Sequence, residues 1–281
     1  MKIAYFPNQT ALQSEPIWGS FLDGCRQIGI EPRENSKDAD CAVIWSVLWN
    51  GRMRMNENVY THYRSMNKPV FIIEVGALDR GRTWKISANH ISNEGIYGNT
   101  ENIDYDRARK LGIGLQDVKS SRKNSILIVG QHERSLQWQN QPTTRTWLSQ
   151  KVAEIQKYTD RPIIFRPHPR HPIGTAPIPG IIFEQPNKIP GTYDKFDIAF
   201  DHHCVISHNS GPGTQAAIAG IPIICDKTSL AHPLSSSISK INEIFLPDRQ
   251  NWFHQILHTE WTVDEISQGI PQKRILNVLN R

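Results

Sequence analysis

Short, fully apolar runs recur along this chain, and each is followed by a polar loop or a helical pattern. Residues 41–45 (CAVIW), 70–73 (VFII), 125–129 (SILIV), 162–165 (PIIF), 204–207 (CVIS) and 221–225 (IPIIC) do not alternate polar with apolar. Strands that are apolar on both faces belong to parallel sheets covered by helices on both sides. A first strand at residues 2–6 ends at Pro7-Asn8. Between the strands, residues 18–28 carry Trp18, Phe21, Leu22 and Cys25 at helical spacing and stop at Gly29. Residues 56–66, 143–158, 213–219 and 251–257 also read as helices. The alternation is broken once, by residues 74–123, a polar stretch rich in Gly, Asn and Arg with room for one helix near residues 104–110. The expected fold is therefore α/β: two Rossmann-like parallel-sheet halves with a cleft between them, residues 1–124 and 125–281.

Composition narrows the classes. Hydrophobic residues make up 38% and charged residues 21%, an ordinary globular balance, and no apolar run approaches the roughly 18 residues of a membrane span. The start, MKIAYFPNQT, lacks the apolar core of a secretory signal, so a cytoplasmic location is expected. Cys25, Cys41, Cys204 and Cys225 are scattered in apolar stretches without C-x-x-C spacing and read as reduced, buried thiols. The net charge of +5 is uneven, since residues 80–123 hold nine Lys and Arg against five Asp and Glu. An anionic partner fits this: a nucleotide, a phosphorylated glycan or nucleic acid. A solvated basic face fits it equally.

Three loops after strands carry chemistry. In residues 204–226 (CVISHNSGPGTQAAIAGIPIICD) a strand runs through a Ser/Asn/Gly loop into a small-residue helix and back to a strand. Ser210 or Gly211 can cap that helix, Pro212 suits its first turn, and its free N–H groups would face a phosphate. Gly211 and Gly213 permit close approach; without a following Lys this is no P-loop. The residues around Arg166-Pro-His-Pro-Arg170 present His168 rigidly between Arg166 and Arg170, suited to a departing phosphate. Val129-Gly-Gln-His-Glu133 places Gly130 and Gln131 just beyond a third strand. In the first half, Glu74 and Asp79 are alternative general bases, and Arg80, Arg82, Trp84 and Lys85 lie beside them. Asp201, His202 and His203 match no common metal spacing, and no metal site is expected. A Ser/His/Asp hydrolase lacks its G-x-S-x-G elbow.

In this order the motifs resemble the capsule-polysaccharide glycosyltransferase family that includes bacterial Kdo transferases. The similar segments are Val43-Ile-Trp45 with Lys68-Pro69 and Ile73-Glu74-Val75-Gly76, then residues 126–131, Arg166-Pro-His-Pro169 and residues 207–224. The resemblance implies a GT-B fold and a nucleotide-sugar site in the second half. There His168, Ser207, Ser210 and Thr214 would contact donor phosphate or ribose, with Gly130 and Gln131 lining the pocket; Arg166, Asn209, Gly211 and Gly213 complete the expected donor set. The family's acidic pair before the glycine is here Glu74-Val75, so Glu74 and Asp79 both stay open as base. A short basic relative of this kind also looks like the bacteriophage glycosyltransferases that decorate hydroxymethylated pyrimidines in DNA, which would place it in the host cytoplasm. Arg80, Arg82, Lys85, Arg107, Arg109 and Lys110 would then hold phosphates, and Trp84 would stack on an extruded base. The expected co-substrate is a UDP- or CMP-linked sugar, with no resident cofactor. The alternatives are a surface or capsular polysaccharide glycosyltransferase, a nucleotide-sugar epimerase, and a non-catalytic nucleic-acid- or glycan-binding protein.

Overall fold

The computed structural model describes residues 1–11, 14–15, 17–173 and 178–281. Its strands, in chain order, are β1 (Lys2–Tyr5), β2 (Glu31–Glu34), β3 (Cys41–Trp45), β4 (Val70–Val75), β5 (Trp84–Ala88) and β6 (Ile126–Val129). They continue with β7 (Ile163–Arg166), β8 (Ile181–Phe183), β9 (Cys204–Ser207), β10 (Ile223–Cys225) and β11 (Glu260–Trp261). The helices are α1 (Ile17–Gln27), α2 (Asn56–Ser65), α3 (Arg107–Leu111), α4 (Thr144–Ile155), α5 (Gly211–Ile218), α6 (Gln250–Leu257), α7 (Val263–Ser267) and α8 (Ile270–Leu279).

Two compact units form, Met1–Lys110 with His254–Arg281, and Leu111–Phe253. These bounds differ from the expected 1–124 and 125–281, because the last 28 residues return to the first unit. Close packing of α1 on α7 and α8 explains the return. A Cβ on Gly24 would lie 2.0 Å from the Ile266 carbonyl oxygen, and Gln272 Nε2 donates to the Phe21 carbonyl at 3.1 Å. Arg107 locks the same region. Its side chain is only 4% exposed, donates to the carbonyls of Leu257 and Glu260, pairs with Glu265 and lies over the Trp261 ring at 4.2 Å.

The first sheet has the order β11-β5-β4-β3-β1-β2. Its four inner-numbered strands β1 to β4 are parallel, and β3 is buried at every position, as its unbroken apolar run requires. β5 and β11 are antiparallel additions, so this half is mostly rather than wholly parallel. The second sheet is parallel throughout, in the order β10-β9-β6-β7-β8. Ile126 and Ile128 from β6, Phe165 from β7 and Cys204 and Ile206 from β9 pack with Trp147, Leu148, Val152 and Ile155 of α4 in one core. Burial pushes the Cys25 and Cys204 thiols up to about 12, which keeps them protonated core residues; Cys225 is half-buried.

Each order contains one point where successive parallel strands leave in opposite directions: between β1 and β3 in the first sheet, and between β6 and β9 in the second. Ligands of open α/β sheets bind beyond the carboxyl ends of the strands at that place. None of the described helices is long and apolar enough to cross a membrane.

Candidate functional site

The second sheet gathers the three sequence motifs at one edge. β6 ends at Val129 beside Ser207 of β9 and Arg166 of β7, so Gly130-Gln131, His208 to Ser210 and Pro167-His168 all leave the same edge, at the switch point. Gly130 is explained by what lies against it. A Cβ there would meet the His168 nitrogen at 3.1 Å and Pro167 Cα at 3.2 Å, so the glycine admits the β7 loop.

The polar atoms here are poorly matched by the protein. Ser207, Gln131 and Asn209 are 3%, 5% and 7% exposed. Among the described residues, Ser207 Oγ, Gln131 Nε2, Asn209 Oδ1 and Ser210 Oγ are buried and have no hydrogen-bond partner. Leaving one such atom unsatisfied costs about 1–3 kcal/mol, so four at one sheet edge mark a place where a polar ligand or water completes the bonding. The rest of the network is rigid. Gln131 Oε1 accepts from the Asn209 N–H at 3.5 Å, and Asn209 Nδ2 donates to Thr228 Oγ1 at 2.9 Å. Thr228 in turn bonds Asp226; burial alone would raise that carboxyl, but the Thr228 N–H and hydroxyl hold it below its usual range.

Helix α5 begins at this edge. Ser210 occupies its N-cap in extended conformation but makes no side-chain cap, and Pro212 sits in the first turn. Of its first three residues, Pro212 has no N–H and the Gly213 N–H already donates to the Ser210 carbonyl at 3.1 Å, so the start of the helix offers an anion the Gly211 N–H and the positive end of its dipole. Gly213 leaves room there for the Ser207 hydroxyl: a Cβ would stand 2.7 Å from Ser207 Oγ and turn it away. Thr214 is buried just behind, at 6% exposure.

Two imidazoles complete the edge. Nδ1 of His168 accepts from the Arg170 N–H at 3.2 Å, and Nδ1 of His132 from the Arg134 N–H at 3.1 Å. An Nδ1 that accepts leaves the proton of a neutral ring on Nε2, so both rings are held as Nε2–H donors. Their centroids are 5.5 Å apart, and His132 also lies 4.6 Å from His171. Burial, with His171 and Arg134 adding to it, pushes His132 down to about 4. His132 was missed in the sequence although it adjoins Gln131; nothing local marks a histidine in a strand-end loop as buried.

Arg166 has another role than the one expected. It is 5% exposed, and its guanidinium pairs with Glu184 at 2.6 Å and with both the side chain and carbonyl of Asp197. It fastens the loop beyond β8 to the sheet rather than offering a fork to a phosphate. Arg170 is exposed and pairs with Asp194.

The residues expected to receive an acceptor are engaged within the chain: Trp84 and Lys85 by burial, and the exposed Arg82, Arg109 and Lys110 by ion pairs. Trp84 is 2% exposed, paired in register with Val75 and Trp261 and packed 5.8 Å from Trp45, so it cannot stack on an extruded base. Burial lowers the Lys85 ammonium against the pull of Glu260 and Glu74. Arg82 pairs with Asp79 at 2.9 Å, Arg109 with Asp106 and Lys110 with Asp104. Arg80 and Thr83 form an isolated backbone bridge in the same turn. Glu260, which sequence reading passed over, organises the loop after β4. It is 1% exposed and accepts from the N–H groups of Ala77 and Leu78 at 2.7 and 3.0 Å and from Thr83 Oγ1 at 2.8 Å.

Of the two candidate bases, Asp79 is held by Arg82, whereas Glu74 stands at the carboxyl end of β4 with its carboxylate half-buried. Ser46 Oγ donates to Glu74 Oε2 at 2.6 Å, and the Val75 N–H to Oε1 at 2.9 Å. Ser46 follows β3 with φ +64, a conformation that non-glycine residues rarely adopt.

No protein-family model matches the sequence, and no curated protein is similar to it. Solved structures do share its fold over nearly the full length. KpsC of Thermosulfurimonas dismutans, described as a beta Kdo 2,7 transferase, aligns with a TM-score of 0.50 at 14% identity over 97% of this chain and 100% of that one. KpsC of the same organism, described as a beta Kdo 2,4 transferase, aligns with a TM-score of 0.52 at 11% identity over 98% of each. The chain is thus an α/β protein of two Rossmann-like halves, similar in fold to GT-B glycosyltransferases.

Proposed function

We propose that the protein is a glycosyltransferase that takes its sugar from a UDP- or CMP-linked donor bound at the carboxyl edge of the second sheet. The observation that carries this is the set of four unpartnered polar atoms, on Gln131, Ser207, Asn209 and Ser210, grouped at the switch point around the uncapped start of α5. In this reading the donor phosphate lies on the first turn of α5, with Ser207, Ser210 and Thr214 around it. Its developing negative charge is met by the Gly211 N–H, by the positive end of the helix dipole and by the Nε2–H of His168, in place of a metal ion. Gln131 and Asn209 offer both donor and acceptor atoms to ribose or base. The fold shared with two Kdo transferases supports the reaction class.

The acceptor is a hydroxyl, deprotonated by Glu74 as it attacks the anomeric carbon, with Ser46 orienting the carboxylate. A glycan acceptor of surface or capsular type fits better than DNA. The aromatic side chain and most of the cations that a DNA acceptor would need are buried or paired within the first unit.

Mass spectrometry of glycan acceptors and a hydroxymethylated oligonucleotide, each incubated with a panel of UDP- and CMP-sugars, tests this reading. A glycosyl increment on a glycan that disappears in Glu74→Gln is expected. Conversion of the nucleotide sugar itself without any acceptor would favour an epimerase, and an increment on DNA would reverse the choice of acceptor.

A further inference from the structure

The polar atoms left without partners are not confined to the second sheet. At the carboxyl edge of the first sheet, beyond β1 and β3, a second group occurs. Asn56, 1% exposed, donates through Nδ2 to the Gln9 and Trp45 carbonyls at 2.9 and 2.6 Å and so ties the loop after β1 to the loop after β3. Its Oδ1 is buried with no partner among the described residues, and so are Gln9 Oε1 and Trp49 Nε1. Trp49 is 6% exposed and held against Tyr60 at 5.8 Å. One N–H donor and two carbonyl-type acceptors without partners are the groups that sugar hydroxyls, which both donate and accept, satisfy.

The same loop then projects two charges. Residues 51–55 (GRMRM) form a 3-10 turn in which Arg52 and Arg54 are exposed, their guanidinium groups making no ion pair or hydrogen bond among the described residues. No acidic residue occurs from Cys41 to Asn56, and the first beyond it, Glu57, lies in α2. These arginines differ from the other cations near the site, since Arg82, Arg107, Arg109 and Lys110 are all paired within the chain. Glu74, at the end of the neighbouring strand β4, is joined to this edge through Ser46 at the end of β3.

We propose that the loops after β1 and β3 are the acceptor subsite, and that Arg52 and Arg54 select an acidic glycan by holding a carboxylate or phosphate near its acceptor hydroxyl. This rests on the glycosyltransferase reading and specifies its acceptor. Guanidinium groups bind both anions through paired N–H donors, so either acid can occupy the place. A nucleic acid is disfavoured because Trp45, Trp49 and Trp84 are all nearly or fully buried and offer no face to a base.

The full chain, wild type and Arg52→Ala/Arg54→Ala, is titrated calorimetrically with four probes. These are a uronate-bearing oligosaccharide, a phosphorylated oligosaccharide, a neutral one of equal length, and a single-stranded oligonucleotide. CMP and UDP are titrated in parallel. We expect one acidic oligosaccharide to bind wild type and to lose about tenfold or more in the double variant. Which acid responds identifies the group. The neutral sugar should bind weakly and equally to both proteins, nucleotide affinity should be unchanged, and Arg52→Lys/Arg54→Lys should restore part of the loss. Equal binding of every oligosaccharide to both proteins, or preferential binding of the oligonucleotide through these arginines, overturns the proposal. Failure of CMP and UDP to bind would instead strike the glycosyltransferase reading and leave the glycan result to stand or fall alone.

Discussion

Gly213→Ala separates the stability of the donor edge from its binding capacity. The new Cβ would stand 2.7 Å from Ser207 Oγ and 3.8 Å from Ser207 Cβ, so the serine hydroxyl must rotate away while its backbone stays. Alanine is worth up to about 1 kcal/mol over glycine inside a helix. Local crowding offsets part of that gain, and the hydroxyl that moves has no partner to lose among the described residues. Net stability should therefore change by less than about 1 kcal/mol. Binding should suffer much more. A hydroxyl bond to a charged phosphate is worth about 1.5–3 kcal/mol, or roughly 10- to 150-fold in Kd. The assay pairs calorimetric titration with UDP and CMP against thermal denaturation of the same samples. Ser207→Ala should weaken the same nucleotide by a similar factor, and the double variant by little more than either, since both substitutions remove one interaction. Wild-type affinity in both single variants, with melting temperatures unchanged, would refute a phosphate contact at Ser207.

Glu260→Gln should cost about 1–3 kcal/mol in denaturant unfolding, because an amide cannot accept from Ala77, Leu78 and Thr83 as the carboxylate does; unchanged stability would mean that the loop holds itself. Arg166→Ala should destabilise by about 1–3 kcal/mol, by removing the charge-assisted hydrogen bonds of a buried guanidinium to the partly exposed Glu184 and Asp197, whereas a purely ligand-binding arginine would lower nucleotide affinity and spare the fold. Burial pushes His258 down to about 4, and its Nε2 accepts from the Asp104 N–H at 3.1 Å, so protonation favours the unfolded chain. Its contribution is present above about pH 6.5, the ordinary histidine value, and is lost as pH falls from there toward 4. Urea unfolding across that window should show a shallower pH slope for His258→Gln than for wild type, and identical slopes would remove His258 from the explanation.

What could be read from the sequence was what is contiguous in it. The strands β3, β6 and β9 are buried at every position, so burial on both faces appears directly as an apolar run. The Ser/Asn/Gly turn into α5 likewise holds strand, loop and helix start within a few residues, and its polar residues meet those of the β6 loop at one sheet edge. β2, by contrast, is a mostly exposed edge strand of sequence EPRE, which pairs through its backbone and has no apolar face to announce it. β5 pairs antiparallel with its neighbour β4 and is covered on the other side by β11 from the far end of the chain, which a local pattern does not show. The reading of residues 80–110 as a binding surface rested on the same local view. Charge density looked like a binding surface, but the partners of those cations are settled in three dimensions. Glu265 takes Arg107, and Glu260, with Glu74, faces Lys85. Arg52 and Arg54 were passed over because two arginines in an ordinary turn carry no signal until the others are seen to be occupied.

The most direct test of the central claim is to map nucleotide binding residue by residue, by backbone amide chemical-shift changes in the full chain as CMP and UDP are added. We expect one of the two to bind, with the largest shifts at Gly130, Gln131 and His132, at Ser207 to Gly211, and at Gly213 and Thr214. Saturable shifts confined to residues of the first unit, or to the amino ends of β6 and β9, would contradict a donor site at the start of α5.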